Sequence, residues 1–246
     1  MRILEAPGKS AIATIAALAG TAFSGYAVPG ITAIAPVRRA LFRRLSGASC
    51  SSALALTFDD GPDPKSTPMF LDRLEGLGWK ATFFMLGSMA EREPALTREV
   101  QARGHEIALH GYLHKNLLWR TPRATDSDIR KGFDTMAQIT GTTPRFYRPP
   151  YGVLNTQALL TTRSLKLTPV LWTTWGRDWR AKATPESVFY DLANGIQAGA
   201  TLLLHDSDCT SAKESYLSAL GALDPLSERV TRLGLSVERL CDHFPD

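Results

Sequence analysis

The 246-residue sequence predicts an α/β fold built on a mainly parallel sheet, closed or nearly closed, and three observations support this. Short, almost wholly apolar runs alternate with longer segments of helical spacing. Gly, Ser and Thr punctuate the joins at positions that suit helix starts and stops. With 44% apolar residues the chain can bury a full core, which excludes general disorder, and its length suits one barrel-sized domain. The sequence has no internal repeat or low-complexity tract, and nothing in it suggests a second globular domain.

In chain order, residues 1–49 form a segment unlike the rest. They hold Arg2, Lys9, Arg38, Arg39, Arg43 and Arg44 against Glu5 alone, a charge of +5, whereas residues 50–246 carry 22 basic and 23 acidic residues, a charge of −1. The pI near 9.0 therefore belongs to the N-terminal segment. A near-neutral body offers no phosphate-tracking surface, so no nucleic-acid partner is expected. Residues 10–37 carry no charge, and 11–23 are apolar enough for a signal-peptide core or a weak membrane span. Gly20, Gly25, Pro29, Gly30 and Pro36 oppose a continuous span, and Ala22-Phe23-Ser24 suits cleavage. Glu5 dilutes the basic start, and the arginines at 38–44 would hold their flank on the cytoplasmic side. The segment is expected to be a signal or membrane anchor, or an extension packed on the domain at 50–246. An extracytoplasmic or membrane-associated location is favoured over a cytoplasmic one, with membrane contact made through this segment.

Residues 53–57, 81–85, 106–109, 170–172 and 201–204 read as buried strands. Residues 67–77, 91–102, 126–140, 156–165, 185–194 and 212–232 carry helical spacing. Ser66, Thr125 and Thr184 suit their starts, and Gly104, Gly141 and Gly195 their stops. Cys50, Cys209 and Cys241 are too few for a disulfide framework and include no C-x-x-C pair, so three buried or free thiols are expected.

In a parallel barrel the residues just past the strand ends converge on one face. Here they are Asp59 and Asp60, His110 and His114, Arg148 and Tyr151, Asp178 and Trp179, and His205. So many ionisable groups in one place cost stability unless they bind or react. If one carboxylate of the Asp59-Asp60 pair binds a metal, the other stays free as a base; the plain alternative is turn chemistry before Gly61-Pro62. His110 and His114 are spaced to share one face of a helical turn, as a divalent metal requires, and a carboxylate would complete a two-His, one-carboxylate site. Alternatively they are unrelated surface or core histidines. His205 stands at the mouth of an apolar strand, where a satisfied core histidine is an equal reading, and Asp206 and Asp208 suit a cap or turn.

The motifs TFDDGP at 57–62, H-x-x-x-H at 110–114, RPPYG at 148–152, DW at 178–179 and L-x-H at 203–205 resemble, in kind and in order, those of polysaccharide deacetylases of the NodB-homology type, a group like carbohydrate esterase family 4. The likeness runs from about Ala53 to Leu240. It implies a distorted (β/α) barrel of parallel strands and outer helices that removes N-acetyl groups from an amino-sugar polysaccharide or oligosaccharide of the N-acetylglucosamine type. It further implies that Asp60, His110 and His114 hold a divalent cation, usually zinc, with cobalt or another divalent ion as the alternative. Asp59 is then the base for water activated at that cation, and His205 the acid that protonates the departing amine. Arg148 would orient Asp59, and Asp178 would position Arg148 or His205. The Tyr151 N–H would help hold the oxyanion, while Tyr151, Trp179 and Leu203 wall the groove around the acetyl methyl.

Two positions depart from the family pattern. Gly111 stands where Ser or Thr usually follows the first metal histidine, so the loop must be held without that hydroxyl. Trp175 stands where a first Asp is common in the fourth motif, which with Trp172 and Trp179 would give an aromatic-lined site for sugar rings. The leading expectation is a monomeric metal-dependent carbohydrate deacetylase. The rivals are a related barrel acting on a cyclic imide or small N-acyl metabolite, and an inactive carbohydrate-binding relative, which would be expected to lack Asp59 or His205. No glycine-rich phosphate loop is present.

Overall fold

The computed structural model describes residues 24–245. Its strands are β1 (Leu54–Asp59), β2 (Thr82–Met85), β3 (Glu106–Leu109), β4 (Phe146–Tyr147), β5 (Thr168–Pro169), β6 (Thr174–Trp175), β7 (Thr201–His205) and β8 (Val237–Glu238). They form one curled sheet in the order β5-β4-β3-β2-β1-β7-β6, with β8 beside β1. Every pairing is parallel. The central β1 is buried at all its positions, which explains its mostly apolar make-up without alternation.

Around the sheet run helices α1 (Ala35–Leu41), α2 (Thr67–Gly76), α3 (Gly87–Arg92), α4 (Pro94–Ala102), α5 (Pro122–Thr140), α6 (Thr156–Ser164), α7 (Pro185–Ala193), α8 (Tyr216–Arg232) and α9 (Leu240–His243). Thr184 caps α7 reciprocally with Ser187, and Gly141 ends α5 with φ 71°, a left-handed conformation that glycine adopts freely. The helix expected over 91–102 is broken at Pro94, which starts α4. Helix α5 begins a turn earlier than expected because Thr121, not Thr125, caps it; Thr125 is buried inside the helix.

The run 170–172 is buried but is not a strand. Its carbonyls are taken by arginine side chains: Val170 and Leu171 accept from Arg148, and Trp172 from Arg38. The Leu171 N–H donates to Leu45 O at 2.7 Å. Leu45 thus sits in the gap between edge strands β5 and β6, and Thr201 Oγ1 donates to Gly47 O at 2.7 Å in the same seam. Arg38, only 2% exposed, also donates to Thr32 O at 2.9 Å. Residues 28–49 therefore strap the side of the sheet.

The apolar run 11–23, with Arg2, Glu5 and Lys9, lies outside the described residues. Among the described residues no helix is long and apolar enough to cross a membrane. All three cysteines are free thiols, but Cys50 and Cys209 are exposed rather than buried, since both lie in loops.

Candidate active site

Parallel register delivers the chemistry to one end of the sheet. Asp59, the last residue of β1, pairs with His205, the last residue of β7. The loops after β3, β4 and β6 end at the same cavity, of about 290 Å³, which Asp59, Asp60, His110, His114, Tyr151, Trp175, Trp179, Leu203 and His205 all line.

The two adjacent carboxylates face different partners. Asp60 has φ 81°, a left-handed conformation rare for a non-glycine residue. Asp59 Oδ1 accepts from Arg148 Nη1 at 2.6 Å, whereas Asp60 Oδ1 lies 3.4 Å from Nε2 of both His110 and His114. Asp60 Oδ2 accepts from Thr210 Oγ1 at 2.6 Å. Gly61 is required here because its backbone crosses the buried Asp206 carboxylate, and a Cβ would collide with both Asp206 oxygens. That carboxylate is held by Thr67 Oγ1 at 2.5 Å. Asp208 does cap a turn, accepting from the Glu214 N–H.

His110 and His114 come together, but not on a helix. The segment after β3 is irregular, with Gly111 at φ 90°. In place of the hydroxyl missing at Gly111, the buried Asp128 of α5 accepts from the N–H groups of Tyr112 at 3.0 Å and Leu113 at 3.3 Å. A Cβ at Gly111 would stand 3.0 Å from Asp128 Oδ2, so the glycine leaves room for this substitute anchor.

Arg148 is fully buried, and each of its three nitrogens is hydrogen-bonded. It donates to Asp59, to Thr57 Oγ1 at 2.8 Å and to the carbonyls of Val170 and Leu171, and it packs over the Phe84 ring. This arrangement orients the Asp59 carboxylate. Asp178 engages His205 and not Arg148: its Oδ1 lies 2.9 Å from His205 Nδ1, and its Oδ2 accepts the His205 N–H at 2.7 Å.

Electrostatics separates the roles. Burial disfavours a charged His205, but the Asp178 charge and hydrogen bond, then Asp60 and Asp59, carry its pKa up to about 10, so it holds its proton at neutral pH. Burial, then neighbouring His110, lowers the pKa of His114 to about 4, leaving a neutral imidazole. Burial opposes charge on Asp60, but the adjacent His110 and the fields of His205 and His114 hold it well below the usual carboxylate range.

Above these groups Trp172, Trp175 and Trp179 form a ladder, with ring centroids 5.3 Å and 4.6 Å apart. Tyr151, at φ 60°, sets its ring 4.5 Å from that of His114. Leu203 is a buried apolar wall packed with Leu171 and Trp172.

Asp60, His110 and His114 fit a divalent cation. Their ligand atoms lie within 4.8 Å of one another, and Asp60 Oδ1 is buried without a hydrogen-bond partner. His110 Nδ1 is 2.8 Å from Arg148 O, so with the proton on Nδ1 the Nε2 lone pair is directed to the same point. Two imidazole nitrogens and a carboxylate oxygen form a donor set that leaves positions for water and substrate.

A family model described as polysaccharide deacetylase matches residues 46–170. Over 200 residues the chain is 32% identical to a chitooligosaccharide deacetylase of Bradyrhizobium sp. (strain ANU 289), covering 77% of this chain and 91% of that protein. The chain belongs to the polysaccharide deacetylase family. It is also 35% identical over 158 residues to a peptidoglycan-N-acetylglucosamine deacetylase of Bacillus cereus, covering 62% of this chain and 72% of that one. A solved peptidoglycan N-acetylglucosamine deacetylase in complex with 4-naphthalen-1-yl-N-oxidanyl-benzamide superposes with a TM-score of 0.74 at 29% identity, covering 81% of this chain and 91% of that one. In this family member, sequence reasoning missed Thr210, Thr57, Asp128 and Arg38 as supports of the site. A hydroxyl residue close behind the His205 strand end was the only signal for Thr210.

Proposed function

We propose that this chain is a metal-dependent deacetylase that hydrolyses the N-acetyl amide of an N-acetylglucosamine-type glycan. One observation carries the reading: the Asp60, His110 and His114 trio is flanked by a carboxylate arm, Asp59 with Arg148, and by a protonated-imidazole arm, His205 with Asp178. Amide hydrolysis needs a base for the water and an acid for the amine, and two arms of opposite character supply them.

Zinc is the cation that the two-imidazole, one-carboxylate set suits, with cobalt as a working substitute. The cation supplies Lewis-acid chemistry, lowering the pKa of a water and polarising the acetamide carbonyl. Asp59 accepts the proton of the attacking water, and Arg148 aims that carboxylate. The Tyr151 N–H supports the developing oxyanion. His205 gives its proton to the nitrogen as the C–N bond breaks, so acetate and a free amine leave. Asp178 balances the imidazolium before transfer. Leu203 offers the acetyl methyl an apolar wall, and the Trp175 and Trp179 rings offer faces for sugar rings.

The test is acetate release from N-acetylglucosamine oligomers by the full chain loaded with zinc or cobalt, with a cyclic imide and a small N-acyl metabolite alongside. Release from the oligomers alone is expected. Turnover of the imide without the oligomers would replace this reading, and no turnover of any substrate with metal bound would indicate a binding protein.

A further inference from the structure

A second cavity, of about 440 Å³, shares Trp175 with the catalytic one. Three guanidinium groups line it: Arg39 and Arg43 from the N-terminal strap, and Arg177 from the loop after β6. Its one carboxylate, Asp191, is already engaged by Arg180 at 2.5 Å. Arg39 uses one N–H on Thr173 O at 2.6 Å. Arg177 stacks over the Trp175 ring at 5.6 Å from a left-handed backbone, φ 50°, directly before Asp178. The Arg43 side chain has no hydrogen bond or ion pair among the described residues.

The cleft is thus positive in an otherwise near-neutral body, and Trp175 is a wall common to it and to the catalytic cavity. Guanidinium groups recognise carboxylates through forked, charge-assisted hydrogen bonds. We propose that Arg39, Arg43 and Arg177 form a subsite for carboxylates borne by the glycan, so that the preferred substrate is an acidic N-acetylated glycan and not a neutral one. This rests on the deacetylase reading above and narrows its substrate. The carboxylate can belong to a sugar, as in the lactyl group of N-acetylmuramic acid, or to a peptide attached to it.

Three ligands separate these sources: an N-acetylglucosamine tetramer, a peptide-free oligomer alternating N-acetylglucosamine with N-acetylmuramic acid, and the same oligomer carrying peptide. Binding is read by tryptophan fluorescence of the metal-free full chain, and turnover by acetate release from the metal-loaded chain. An acidic oligomer is expected to bind about three- to tenfold more tightly than the tetramer, as solvent-screened ion pairs allow, and added salt should narrow the gap. Arg43→Gln should shrink the acidic-to-neutral ratio, Arg43→Lys should restore part of it, and Arg43→Gln with Arg177→Gln should bring it to about one. Sugar-borne carboxylates are indicated if the peptide-free oligomer suffices, and peptide carboxylates if only the peptide-bearing one does. Equal binding of all three, no binding by either acidic oligomer, or a preference that survives the double variant overturns the subsite. Absence of acetate release from every oligomer would instead remove the deacetylase reading, while fluorescence still reports on the cleft.

Discussion

Replacing Asp178 by Asn tests the acid arm, because it removes a charge while keeping the shape of the side chain. Asp178 lies 2.9 Å from His205 Nδ1 and also accepts the His205 backbone N–H, so the substitution leaves the imidazole in place without its counter-charge. Burial alone would push the imidazole pKa down, and the Asp178 charge and hydrogen bond are the leading causes that lift it to about 10. A single opposite charge at this range typically moves a pKa by about 1–3 units, and each unit is worth about 1.4 kcal/mol. Asp178→Asn should therefore weaken the imidazolium by about 1.4–4 kcal/mol. The sign follows from the proton His205 must donate: the active form is complete below its pKa and is lost as pH rises through about 10. The alkaline limb of kcat/KM for the metal-loaded enzyme should fall by about 1–3 pH units in the variant. Folding stability shares this sign, since a raised folded-state pKa contributes fully below the unfolded value of about 6.5 and its contribution fades as pH rises through the folded value. An alkaline limb at an unchanged pH, with kcat alone reduced, would refute His205 as the acid or Asp178 as its partner.

Further substitutions probe the rest of the site and its frame. Asp60→Ala or His114→Ala removes one of three protein ligands, so metal content by elemental analysis should fall together with acetate release; full occupancy would refute the ligand set. Asp128→Ala strips the Tyr112 and Leu113 N–H groups of their acceptor and should cost about 1–3 kcal/mol in denaturant unfolding, with weaker metal binding because the loop between the histidines loosens. Arg38→Ala removes charged hydrogen bonds to Thr32 O and Trp172 O and should destabilise the fold by about 1.5–3 kcal/mol, which calorimetry can measure; a change within experimental scatter would mean that the strap contributes little to stability.

Groups that act where strands end are legible in the sequence, because an apolar run followed at once by Asp59-Asp60 or His205 puts ionisable side chains at the point where a buried strand leaves the core. Parallel register then brings them together, and the five ordered motifs match the family. The His110 and His114 pair is legible from its spacing, but not its conformation: Gly111 and the remote Asp128 shape an irregular loop, and Asp128 looks in sequence like any polar residue of an amphipathic helix. The run 170–172 shows apolar character correctly, yet nothing local reveals that Arg148 and Arg38 claim its carbonyls. Two-residue strands such as β4 and β6 are too short to carry a period. Arg38 in a basic cluster reads as a topological flank, and only tertiary contacts show it buried against Trp172.

The most direct measurement is acetate release from an N-acetylglucosamine oligomer by the metal-loaded full chain and by its Asp59→Asn variant, with bound metal quantified in the same samples. Asp59 touches Arg148 and lies 3.8 Å from His110 Nε2, outside the trio of ligands, so the variant should keep its metal and its fold while turnover is lost. An Asp59→Asn protein that holds metal and still releases acetate at the parent rate would contradict the assignment of the base and, with it, the division of the two carboxylates on which the mechanism depends.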